Sequence, residues 1–384
     1  MKILYVAETP DMWRSGIWFH RISSPATALS ERGHHVKQLS MGVFKEEELN
    51  WPDVVIMGRT YYTGHEPLKV MQDFQKRGKR VLYDMDDDFW AVAKNNPSVT
   101  VSNALKDQFE SLLKVADAAI TPCPELIRKL KKFNKNVYFC PNGIDFKVYT
   151  KPINRDPMVK DELVIGYMGG SSHWEDLHLI VDVLEELYTR HNFVFFLYGI
   201  VGTQIEDEMY HYQRYLQMNV QPERNAYFKA ALDFYEKLKN IRMIHRPFAP
   251  PELHPIILSR ASIDIGLAPL QDTEFNRNKS AIKFYEYAST GAVTLASDVG
   301  AYRHELNYRA KNTHKDWVKK LEKLIVDKEF REKLYQEQYD WVYKHRNIGG
   351  VADPQKPEKH WPGIGLPWEM ACQIPGGGKI VNQK

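Results

Sequence analysis

Short apolar runs alternate along this chain with longer segments whose apolar residues recur every three or four positions, the pattern of strands separated by amphipathic helices. Lys2 to Ala7 reads as a first strand, Glu8 to Gly16 as a loop, and Trp18 to Arg32 as a helix whose apolar face includes Phe19, Ile22, Ala26 and Leu29. Gly33 ends that helix. Val54 to Met57, Val81 to Tyr83, Ala118 to Thr121 and Val137 to Cys140 continue the strand series between helical segments. This alternation predicts an α/β fold, a parallel sheet wound on both faces.

A stretch rich in Pro, Asn and Lys from Val148 to Lys160 lacks periodicity and reads as a linker. The pattern then restarts with a strand from Val164 to Met168, the loop GGSSHWED and a helix from about Leu177 to Arg190. Strands at Phe193 to Tyr198, Arg242 to His245, Ile263 to Ala268 and Val293 to Ala296 follow, with a polar, helix-prone insertion from Gln204 to Asn240. A final helix from Asp327 to about Lys344 precedes a tail whose Trp361, Ile364 and Trp368 imply packing rather than a free end. Residues 1–155 and 156–325 are thus expected to form two similar doubly wound domains, with 326–384 packing back across them. A chain of 384 residues exceeds the size at which one core keeps growing, which agrees with two domains.

The most informative segment is NRNKSAIKFYEYASTGAVTLASDVG, Asn276 to Gly300. It reads as a polar loop, a short helix with Ser280 as its cap, a Gly291 break and a buried strand. Lys279 and Lys283 flank the helix start one turn apart, so two cations and unpaired backbone donors converge where a diphosphate would bind. Glu286, one turn on, is placed to accept hydrogen bonds from a ribose. Gly169 and Gly170 follow the first strand of the second half, where a side chain would obstruct a diphosphate, and Ser171, Ser172 and His173 add donors to that loop. A tight turn, and an amphipathic helix with solvated charges, are the plain structural alternatives.

Charge and cysteine content narrow the field. The formal charge of +3 is too small to imply a polyanion partner by itself. Cys123, Cys140 and Cys372 form neither a C-x-x-C pair nor a metal-ligand spacing, which fits a reducing compartment without structural disulfides or metal. No apolar run approaches the roughly 20 residues that span a bilayer, so a cytoplasmic protein is expected.

The fragments HRISSPATALSERGHHV, VLYDMDDDFW, ADAAITPCPELIRKL, CPNGIDFKVY, IGYMGGSSHWEDL and KFYEYASTGAVTLASDVGAY followed by DWVYKHRN, in this order, carry a family likeness over nearly the whole chain. The chain resembles the GT-B glycosyltransferases, specifically the retaining group usually numbered family four and its bacteriophage-encoded relatives. The resemblance implies two Rossmann-like domains facing a central cleft, with the nucleotide sugar held mainly by the second. It implies ribose binding by Glu286, the second glutamate of an E-x7-E motif, and phosphate contact by Lys283. Asn278 occupies the first glutamate position and removes a charge used near the donor sugar. The usual arginine and lysine clamp is not evident in SSHWEDLHL, and Lys279 is a candidate to substitute. UDP is the default nucleotide by family frequency, with no cofactor and no metal required.

Asp84, Asp86, Asp87 and Asp88 resemble the D-x-D motif of the other main glycosyltransferase fold, but they follow a strand in the first of two similar halves, far from the donor signals. Asp86 or Asp87 is expected on the acceptor side of the cleft, with helix capping as the alternative. Glu8, Arg14 and Gly16 occupy the first strand-to-helix loop and are expected to face the same cleft. Pro247 and Phe248 are candidates to pack on the nucleobase or in the core.

ELIRKLKKFNKN, Glu125 to Asn136, sets Leu126, Ile127, Leu130 and Phe133 on one face and Arg128, Lys129, Lys131, Lys132 and Lys135 around it. A solvated surface helix, phosphate contacts to nucleic acid and a membrane-surface contact for a lipid acceptor remain open. A hydroxylated base in phage DNA would have to be flipped into the cleft. No obligate protein partner is inferred. The expectation is a metal-independent retaining glycosyltransferase using a nucleotide diphosphate sugar. The alternatives are a catalytically inactive nucleotide-binding or sugar-binding module, or a transferase acting on a lipid or polysaccharide.

Overall fold

The computed structural model describes residues 1–7, 16–42, 44–59, 66–92, 101–152, 154–159, 161–170, 173–199, 233–234, 236–247, 249–250, 252–349, 351–353, 356–361 and 363–373. Glu8, Arg14, Ser171, Ser172, Phe248 and most of the Gln204 to Asn240 insertion lie outside them.

Strands β1 (Lys2–Ala7), β2 (His35–Ser40), β3 (Val54–Met57), β4 (Arg80–Asp84), β5 (Ala118–Thr121) and β6 (Val137–Phe139) form one parallel sheet, ordered β2-β1-β3-β4-β5-β6. Strands β7 (Val164–Met168), β8 (Val194–Tyr198), β9 (Met243–Arg246), β10 (Ile265–Ala268), β11 (Val293–Ser297) and β12 (Arg309–Ala310) form the second, ordered β12-β11-β10-β7-β8-β9. Residues of β3, β5, β7 and β10 are buried throughout, as helices covering both faces of a parallel sheet require. Apolar clusters fill both faces of each sheet.

The expected helix from Trp18 to Arg32 is not continuous. A turn at Gly16–Trp18 leads into a π-helical turn, Phe19–Ser23, in which the N–H of Ser24 donates to the carbonyl of Phe19, and a regular helix runs only from Ser24 to Glu31. Pro25 lacks the N–H that an α-helical ladder would use at that point. The wider turn carries His20 and Arg21, and such insertions concentrate at functional sites. The expected helix from Leu177 to Arg190 is likewise divided, into Trp174–Leu177 and Val181–Tyr188.

Two elements hold the segment Asn276 to Gly300 in place. Gly266 on β10 lies under the ring of Tyr287, where any Cβ would collide with the ring, so the Ile282–Thr290 helix sits close on its sheet. Gly291, at φ +104°, ends that helix in the left-handed conformation. The helix expected to be the last runs from Lys328 to Arg346 and is followed by one more, with Asp327 capping it through the N–H of Phe330 and Gln338 pairing with both backbone groups of Thr294 on β11.

After that helix the chain returns to the first sheet. The N–H of Ile144 donates to the Arg346 carbonyl and the Ile144 carbonyl accepts from the N–H of Ile348, and the Gly365–Cys372 helix buries Trp368 and Cys372 beside Tyr5 and Ile22. Trp368 donates its indole N–H to Pro141. The three cysteines are buried and unpaired. No helix among the described residues is long and apolar enough to cross a membrane.

Candidate active site at the cleft

A cavity of 180 Å³ opens between the halves at the carboxyl ends of their strands, where open parallel sheets place ligands. Gly16, Ile17, His20, Arg21, Asp86, Asp87 and Asn142 line it from the first half. His173, Lys279, Ser280, Ile282, Lys283 and Tyr302 line it from the second. A larger groove of 640 Å³ lies at the opposite, amino-terminal ends of the second sheet's strands, but its charges are mostly spent in pairs such as Arg155 with Asp264 and Lys328 with Glu332.

The sequence candidates Gly16, Asp86, Asp87, His173, Lys279, Ser280 and Lys283 therefore share one cavity. Ser280 does not cap the helix. The cap position belongs to Ala281, and the Ser280 hydroxyl instead accepts from the Asn142 amide at 2.9 Å. Asn142 accepts from Arg21, and Arg21 binds both oxygens of Asp84, at 2.7 and 2.9 Å, and the Cys140 carbonyl. A buried polar chain thus runs from β4 across the cleft to the start of the Ile282–Thr290 helix.

Three donors converge on Glu286, which is 4% exposed: Tyr149 Oη at 3.1 Å, His254 Nε2 at 2.9 Å and His20 Nε2 at 3.3 Å from Oε1. Burial alone would raise its pKa, but His254 and His20 outweigh it and hold the carboxylate well below its usual range. His254 is fixed in turn by stacking on Tyr198 at 5.3 Å. Oε2 of Glu286 has no hydrogen-bond partner among the described residues, leaving an acceptor atom behind His20, which lines the cavity.

Burial and Lys279 push Lys283 down to about 8, and its ammonium lies 5.9 Å over the Tyr167 ring. Lys279 is 3.8 Å from Asp87. By helix geometry the N–H groups of Ile282 and Lys283 have no acceptor within the helix, so they add to the positive field at the cavity. Opposite stands Asp86, raised to about 6 chiefly by burial and also by Asp87, against the pull of Arg59 at 3.0 Å.

Four candidates lie off the cavity wall, and Glu286 is one of them, set behind His20. Asn278 points to Asp88, Gly169 packs against the Tyr167 hydroxyl, and Gly170 faces open space. Asp84 and Asp88 are consumed by Arg21 and Lys129. Sequence reasoning passed over His20, Arg21, Arg59, Asn142, Tyr149, Asp176 and His254. No local signal marks them: His20 and Arg21, between Phe19 and Ile22, stand where an amphipathic helix places polar residues.

No known family model matches the sequence, and no curated protein sequence matches it. Solved structures do match the fold. HepE of Anabaena, in complex with UDP and glucose, aligns with a TM-score of 0.60 at 10% identity, over 91% of this chain and 96% of its own. Sucrose-phosphate synthase from Thermosynechococcus elongatus aligns with a TM-score of 0.62 at 13% identity, over 90% of this chain and 95% of its own. An alpha-glucosyltransferase (AGT) in complex with UDP-glucose and DNA containing an abasic site aligns with a TM-score of 0.56 at 11% identity, over 90% and 95%. With two six-stranded parallel sheets facing one cleft, and these enzymes matching it over most of its length, the chain has the GT-B fold.

Proposed function

We propose that this protein is a glycosyltransferase that moves a sugar from a nucleotide diphosphate sugar, UDP by default, to an acceptor hydroxyl. The observation that carries the reading is the convergence of Lys279, Lys283 and the start of the Ile282–Thr290 helix on one cavity, with the ionised Glu286 one contact away, behind the lining residue His20. The lysines and helix start suit a diphosphate, and Glu286 suits ribose hydroxyls. In transfer the bond from C1 to the phosphate oxygen breaks with its electron pair passing to the diphosphate. The acceptor oxygen bonds C1 as its proton leaves. Fixed donors around the departing charge are commonly worth about 3 to 4 kcal/mol each. In this reading the two lysines neutralise the diphosphate without a metal, and the configuration at C1 is retained. Residues 1–155 would carry the acceptor and residues 156–325 the donor.

The acceptor we favour is a hydroxylated base in DNA. AGT, of the same fold, was solved with DNA, and Arg128 on the Pro124–Leu130 helix and Lys131, Lys132 and Lys135 in the turn that follows it are exposed. Thermal stabilisation by UDP, GDP, ADP and TDP in EDTA tests the donor site in the wild type and Glu286→Ala. A nucleotide-selective shift that the variant loses is expected. No shift with any nucleotide would leave only a binding module with this fold.

A further inference from the structure

A third group faces the two lysines. His173 opens the turn after β7, its N–H donating to the Gly170 carbonyl at 3.2 Å, and its ring lines the same cavity as Lys279 and Lys283. Nδ1 lies 2.6 Å from Oδ2 of Asp176. Asp176 is itself fixed, since its Oδ1 accepts from the N–H of Gln271 at 2.7 Å and the amide of Asn276 at 3.0 Å. Burial opposes its charge, yet His173 and the N–H of Gln271 hold its pKa below the ordinary value. An ionised acceptor obliges Nδ1 to carry the hydrogen. Nε2 is therefore the nitrogen free to gain or lose a proton, and it has no hydrogen-bond partner among the described residues.

Asp176 from its own turn and Lys279 and Lys283 from the loop and helix opposite act on the ring, while His20, Arg21, Asp86 and Asp87 from the first half and Tyr302 from the second line the same cavity. Burial and then Lys283 push His173 down to about 4, so the ring is neutral while the cavity is empty. A diphosphate would place negative charge between ring and lysines and reverse that field.

We propose that His173 is a proton-accepting third contact for the donor diphosphate. When the nucleotide sugar enters, Nε2 takes one proton from solvent, and the imidazolium, held at Nδ1 by Asp176, donates its Nε2–H to a phosphate oxygen. This rests on the donor reading above. The proton stays on the ring as the bond from C1 breaks and returns to solvent when the nucleotide leaves. A permanent third cation here would be repelled by two lysines in the empty cavity, whereas a histidine acquires its charge only with the ligand. Donor affinity accordingly rises as pH falls, from the ring's ligand-bound pKa down to its free value of about 4.

Calorimetry of UDP-glucose binding to the full chain, in two buffers of different ionisation enthalpy, reads this directly. UDP-glucose has no phosphate group that titrates near neutrality, and at about pH 6.5 Lys283 is already charged, so neither masks the signal; Asp86, at about 6 in the same cavity, is removed from it by making the same comparison in Asp86→Asn. The expected result is uptake of up to about one proton per bound UDP-glucose. His173→Gln, whose amide can still donate to Asp176, is expected to abolish the uptake and weaken binding about tenfold. Binding without buffer dependence in the wild type overturns the role of His173 and leaves the donor site standing; that comparison needs no variant. Equal uptake in a folded His173→Gln overturns it too. No binding heat in either buffer overturns the donor reading and this inference together.

Discussion

The side-chain amide of Asn278 donates to Oδ2 of Asp88 at 2.8 Å, joining the two halves of the molecule at the position that the family resemblance assigns to the first glutamate of the E-x7-E motif. Asp88 is 0% exposed and its two oxygens also hold the Lys129 ammonium, which reaches on to Glu274 at 3.0 Å. A carboxylate at 278 would meet a buried carboxylate. Asn278→Glu is therefore expected to lose on the order of 3 kcal/mol of stability in chemical denaturation, the cost of an uncompensated buried charge. The exchanged pair Asp88→Asn with Asn278→Asp leaves one carboxylate beside Lys129 and should recover part of that loss. An unchanged midpoint for Asn278→Glu would show that the cross-cleft bond contributes nothing.

Glu286 links stability to pH. Its folded pKa is held far below the unfolded value by His254 and His20, despite burial, so its stabilisation is fully present above the ordinary carboxylate pKa of 4.5 and is lost as pH falls through the folded value. The stability difference between wild type and Glu286→Gln should stay flat from neutral pH down to about 5 and shrink below that. Urea titrations across this range measure it. A difference that instead grows on acidification would mean the carboxylate is not held ionised.

Lys283 sets an alkaline limit. With a free-protein value of about 8, it loses its charge as pH rises through that point, and kcat/KM for the donor should fall with it. Lys283→Arg keeps the charge and should move the limb to higher pH, while Lys283→Ala should cost roughly two orders of magnitude at neutral pH. A pH profile unchanged in Lys283→Arg would assign the limb to another group.

Legibility in the sequence followed burial. The central strands Val54–Met57, Ala118–Thr121 and Val164–Met168 are apolar on both faces, and their bounds can be read from composition alone. Edge strand His35–Ser40 alternates polar residues with half-buried ones, and Arg309–Ala310 is only two residues long, so neither stands out from loop sequence. Lys283 and Glu286 were legible because one helix carries their spacing, and Lys279 because it stands in the loop just before that helix. His20, Tyr149 and His254 reach Glu286 from distant segments, and no local pattern encodes such a meeting. The cap assigned to Ser280 failed for the same reason, since its hydroxyl serves Asn142 from the other half.

Arg21 ties stability to the site. Its guanidinium pairs with Asp84, donates to Cys140 and Asn142, and lies 4.7 Å over the Trp368 ring, so strand β4, the returning tail and the far side of the cleft all depend on it. Arg21→Met leaves Asp84 buried and unpaired and should cost about 3 to 5 kcal/mol in denaturation. Asn142→Ala keeps the ion pair but removes one acceptor from Arg21 and the donor to the Ser280 hydroxyl, so its stability loss should be about 2 to 3 kcal/mol, as for one charge-assisted and one neutral hydrogen bond. If the relay positions the loop bearing Lys279, Asn142→Ala should still weaken UDP binding severalfold, measured by calorimetry. A nucleotide affinity equal to wild type in a folded Asn142→Ala would confine the relay to holding the halves together and leave Lys279 positioned by its own loop.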